Sequence, residues 1–107
     1  MIFGTGMNDD GVTGEQSTFS QYETIYDEIS LSSSYGTSTY EVFLLKASAG
    51  GGEQLFDRWK EEVDPTWDHS FGIFHEPNYH GILETGDYVV RVFVNDELLT
   101  EGTFTIE

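Results

Sequence analysis

The sequence of 107 residues predicts one all-β domain spanning residues 1–107, a sandwich of about seven antiparallel strands. Three observations lead there. Short runs alternate apolar and polar residues and are separated by turn signals every ten or so positions. Eight Phe, six Tyr and two Trp supply much of the available core volume, and rings of this kind fit a pleated surface better than a helix. The length suits a single hydrophobic core, in which roughly two-thirds of the unfolded chain's surface can be buried.

Taken in order, a short first strand ends at Asn8-Asp9-Asp10-Gly11, a turn built from the residues that tolerate turn geometry. Phe19 to Leu31 is rich in β-formers, clearest from Thr24. Ile25, Ile29 and Leu31 share one face there, and Asp27 interrupts it. Ser32 to Gly36 is a break. Thr39 to Ala47 carries Tyr40, Val42 and Leu44 on one side and Phe43 and Leu45 on the other, as a central strand would. Ala49 to Gly52 ends it.

Glu53 to Val63 fits a helix through Phe56, Trp59 and Val63, and fits an alternation through Leu55, Trp59 and Val63 that Asp57 and Glu61 break. The all-β context selects a strand, and a Trp at position 59 is expected in the core between the sheets. Asp64-Pro65 turns the chain, Phe71 to Phe74 forms a short strand, and His75 to Tyr79 reads as loop. The clearest element closes the sequence: Tyr88, Val90, Val92 and Val94 alternate, Asn95-Asp96 turns, and Leu98 to Ile106 returns as the second arm of a hairpin.

Twenty acids against four bases give a net charge of -16. That balance argues against nucleic acid and anionic lipid as partners, since both need clustered Lys and Arg. No run approaches the roughly 20 apolar residues of a membrane-spanning helix. The abundance of aromatic and β-branched residues separates this chain from acidic disordered ones. Self-repulsion favours a monomer and opposes compactness. The melting temperature should therefore rise from low to moderate NaCl as the charges are screened, and a flat or falling profile would contradict this.

The chain has no Cys, which removes disulfides, thiolate metal sites and a Cys nucleophile together. Asn8 to Glu15 offers oxygen ligands for Ca²⁺, but aligning Gly11 with the invariant glycine of an EF-hand loop puts Gly6 and Ser17 where Asp and Glu belong. An ordinary acidic turn is expected. His69, His75 and His80 lack the helical spacing of zinc enzymes, and Pro77 is expected to break any helix between the last two. No metal or cofactor is therefore expected. Glu61, Glu62, Asp64, Asp68 and Glu76 are acids of the glycosidase kind, yet nothing in the sequence singles out a pair. With no nucleophile elbow, phosphate loop or dinucleotide fingerprint, the expectation is a protein without enzymatic activity.

Trp59, Trp67, Tyr35 and Tyr79 are the residues able to form an exposed aromatic platform for an apolar or sugar partner. Trp67 and Tyr79, flanked by polar and turn residues, are the expected binding residues.

Leu83-Glu84-Thr85-Gly86-Asp87-Tyr88 resembles the corner that enters strand F of immunoglobulin-like domains, where a buried Tyr returns its hydroxyl to backbone just upstream. Together with Phe3-Gly4-Thr5-Gly6, Ile25-Tyr26, Glu62-Val63-Asp64-Pro65-Thr66-Trp67, Val89-Val90-Arg91-Val92 and Gly102-Thr103-Phe104-Thr105-Ile106, it makes the chain similar to immunoglobulin-like domains of bacterial cell-surface proteins and lipoproteins. The resemblance implies an immunoglobulin-like sandwich, export with a leader removed ahead of Met1, and a non-catalytic role in binding another protein or spacing other domains. A carbohydrate-binding module using Trp67 and Tyr79 is the first alternative. A small protease inhibitor presenting Ser70 to Tyr79 is the second.

Overall fold

The computed structural model describes residues 1–107, which form two packed β-sheets. The strands are β1 (Ile2–Asn8), β2 (Gly11–Glu15), β3 (Thr18–Phe19), β4 (Ile25–Ser30), β5 (Thr39–Ala47), β6 (Glu53–Glu62), β7 (His69–His75), β8 (Gly86–Val94) and β9 (Glu97–Ile106). One short helix, α1 (Pro77–His80), lies between β7 and β8. The sheets run β2-β1-β4-β7 and β3-β9-β8-β5-β6. The sandwich is as expected, with two corrections. There are nine strands because the Asp9-Asp10 turn and the residues after Glu15 divide the amino-terminal segment into three, and β3 pairs parallel to β9 rather than antiparallel.

Alternation decides which side chains enter the core. Val42 and Leu44 of β5, Tyr88, Val90 and Val92 of β8, and Phe104 and Ile106 of β9 face Phe3, Ile25, Ile29 and Phe74 of the opposite sheet. Phe104 is the hub. Its ring meets Phe3 and Phe74 edge-on and stacks flat on Tyr88, with centroids 5.2 Å, 5.8 Å and 5.2 Å away.

The corner before β8 has the geometry that its sequence suggests. Gly86 holds φ at 141°, a region that L side chains rarely adopt, and Tyr88, fully buried, donates its hydroxyl to the Glu84 carbonyl at 2.7 Å. Tyr88→Phe should cost about 1 to 2 kcal/mol, because packing is kept while one partly buried hydrogen bond is lost. An unchanged urea midpoint would show that the bond does not pin the corner.

At the hairpin between β8 and β9, Asn95 and Asp96 both take positive φ, 50° and 67°, as a two-residue turn of the primed type requires. The β1–β2 hairpin is held at its tip by Glu28 of β4, whose carboxylate accepts from the Val12 amide at 2.8 Å and meets His69 Nε2 at 2.7 Å. The Val12 bond, followed by His69, holds that carboxyl below its ordinary range.

Glu53 to Glu62 is a strand, as the context indicated, and it forms the free edge of the five-stranded sheet. It is exposed along its length except at Trp59, so the opposite sheet leaves it uncovered. β7 is the free edge of the other sheet and runs longer than the Phe71 to Phe74 strand read from sequence. The expected loop after it contains α1, because Pro77 starts a helix: its fixed φ and missing N–H suit the first turn.

Candidate functional site

Between the free edges β6 and β7 lies a groove of two adjoining cavities, about 150 Å³ and 290 Å³. Trp59, Glu61, Ile73 and Phe74 line both. The groove exists because β6 extends past the covering sheet. Its inward residues pair in register with inward residues of β5, Val42 with Trp59 and Tyr40 with Glu61, and Trp59 rests on Phe74 of the opposite sheet.

Trp59 therefore differs from its expected place. It is partly buried, with its ring against Phe74 at 5.6 Å, and forms a wall of the groove rather than the centre of the core. Its indole N–H donates to Glu61 Oε1 at 2.9 Å, two residues along the same face.

The floor carries Asp27. In an edge-exposed strand an acid can point to water, but on β4 the residues Ile25, Asp27 and Ile29 share the inward face, and Asp27 is carried inward between two core side chains. Burial and then the charge of Glu61 push its carboxyl up from 3.8 to about 7, against a bond from its own backbone amide and the Met1 ammonium. Beside it, Tyr35 and Tyr40 stack at 5.6 Å and the Tyr35 hydroxyl shares a 2.6 Å hydrogen bond with Ser70. Burial raises both phenols, and the Asp27 charge adds to it.

At the far end of the groove stands His75, only 7% exposed, whose Nε2 has no hydrogen-bond partner. Burial, then the neighbouring His80 ring 5.5 Å away, lowers its pKa below the usual imidazole value. The ring is thus neutral at pH 7, with a bond to the Gly81 backbone opposing the shift. Neither cavity is lined by Lys or Arg. Lys46, Arg58 and Arg91 are engaged with Glu84, Glu41, Glu53 and Glu101 elsewhere.

Trp67 and Tyr79 are both exposed, at 52% and 82%. They do not share a face. Trp67 precedes β7 and lines the first cavity, whereas Tyr79 lies on α1 beyond the other end of the strand, roughly 20 Å along at about 3.3 Å per residue. Tyr35, the other aromatic considered for a platform, is buried. Most of Ser70 to Tyr79 is strand and helix rather than a protruding loop. His69 sits at the start of β7, away from His75 and His80, and is paired with Glu28. The Asn8 to Gly11 turn uses the Asn8 side chain internally, accepting from the Asp10 amide at 2.8 Å.

No protein-family model matches this chain, and no curated protein matches it in sequence.

Proposed function

We propose that the chain is a non-catalytic interaction module and that the β6–β7 groove, with Trp67 at its rim, is the surface it presents. The observation that carries this is the uncovered inner face of β6, where Trp59 and Glu61 stand opposite a free strand edge. A shaped concavity with aromatic walls and a few convergent polar groups is what a binding site needs. The chain's resemblance to bacterial surface domains supports a module that works outside the cytoplasm, joined to or apposed to other envelope proteins.

A photo-cross-linking residue in place of exposed Ile73, in the cells that make the protein, should give a discrete protein adduct. The same residue in place of Leu98, exposed on β9, should not. Adducts from both positions, or from neither, would leave only the spacer role. Titration with a polysaccharide panel, read by Trp fluorescence, separates the carbohydrate alternative.

Trp67→Ala should reduce the Ile73 adduct roughly tenfold, the scale of an interface hot spot. The fold should survive it, because Trp67 holds its neighbours through backbone: its carbonyl accepts from Tyr35 N and its amide donates to Asp64 O, at 2.8 Å and 3.0 Å. Unchanged circular dichroism with unchanged adduct yield would move the surface away from Trp67.

A further inference from the structure

Resting on that reading of the groove, we infer that its occupant is an extended, arginine-bearing segment of another protein, with a guanidinium seated between Asp27 and Glu61 against the Trp59 ring. No Lys or Arg lines the groove, while Asp27, Glu61 and the unpartnered His75 side chain bring acceptors to it. A carboxylate accepts once ionised, and His75, buried but for 7% and with its Nε2 unpartnered, lines the cavity that Glu61 also lines. Of the two indoles that line the first cavity, that of Trp59 already gives its N–H to Glu61, and that of Trp67 stands at the rim. The two carboxyls line one cavity with no Lys or Arg beside them, so the complementary group is a cation rich in N–H donors.

Arginine fits this set better than lysine. Its planar fork carries five donors, enough to bridge two carboxylates, and its flat face stacks on an indole where an ammonium is held mainly by hydration. A second copy of this chain is a poor occupant: its net charge is -16, and three of its four basic residues are already paired with acids. A basic segment from another protein has the complementary charge.

The test uses fluorescein-labelled hexa-arginine and hexalysine peptides, titrated by anisotropy into the whole protein at physiological salt. Hexa-arginine should bind at least tenfold more tightly than hexalysine. The double variant Asp27→Asn/Glu61→Gln should lose at least tenfold of that affinity. Asp9→Asn/Asp10→Asn, which removes the same charge from an exposed turn, should lose less than twofold. Equal losses in the two variants would show attraction to overall charge alone, and equal affinities for the two peptides would remove the guanidinium; either overturns the inference. An Ile73 adduct obtained without arginine preference would keep the groove as the surface and reject this occupant.

Discussion

Asp27→Asn is expected to make the protein more stable at about pH 8 and to leave its stability unchanged at about pH 3. The carboxyl titrates near 3.8 in the unfolded chain and at about 7 in the folded one. Below the lower value both states hold the proton. Between the two the folded state keeps a proton that the unfolded state has released, so stability falls as pH rises, and the loss is complete above about 7. At about 1.4 kcal/mol per pH unit this amounts to about 4 kcal/mol, and water reaching the open groove lowers it to about 2. Asn keeps the shape and never ionises, so it should recover that amount at the higher pH. Urea unfolding at both pH values checks this, and equal stabilities at pH 8 would mean that Asp27 is solvated. An acid that weakens the fold at neutral pH, placed on the floor of a groove, is the arrangement expected where binding has been favoured over stability.

Phe104→Ala should cost about 3 to 5 kcal/mol. The ring is 2% exposed, stacks on Tyr88 and meets Phe3, Phe19 and Phe74 edge-on, so its removal leaves a cavity bordered by four rings from both sheets. Rigid rings collapse poorly into such a space. Against the 5 to 15 kcal/mol typical of small domains, the melting temperature should drop by roughly 15 °C or more. A loss below about 1 kcal/mol would place the centre of the core elsewhere, at the smaller cluster of Ile29, Tyr35, Val63 and Val92.

The sandwich was legible in the sequence because alternation and turn residues are local signals. Val90 and Val92 declare their face by spacing alone, and Asn95-Asp96 declares its turn by residue type. The Tyr88 corner was legible for the same reason: all its parts lie within a few residues. The groove was not. It depends on which strands end their sheets and on how far β6 overhangs, and both are set by pairings between distant segments.

Asp27 showed in the sequence as a break in the Ile25–Ile29 face, which was its one local trace, but nothing nearby indicated that Glu61 would stand across from it. Trp59 was placed in the core because its own strand gives no sign of lying beyond the covering sheet. The burial of His75 has no local trace because Pro77 reads as a helix breaker, when here it begins the turn that brings the His80 ring 5.5 Å from that of His75. Trp67 and Tyr79 were recognisable as exposed from their polar and turn-forming neighbours, but their separation required knowing that β7 runs unbroken between them.

The most direct test of the groove as the interaction surface is an amide chemical-shift map of the isotopically labelled protein, titrated with the partner segment recovered from the Ile73 adduct. Perturbations should concentrate at Trp59, Glu61 and the Ser70 to Phe74 stretch of β7, with Asp27 beneath them, and should be absent from the β8–β9 turn and the β1–β2 tip. Shifts centred on either of those hairpin ends, with β6 and β7 unmoved, would contradict the account.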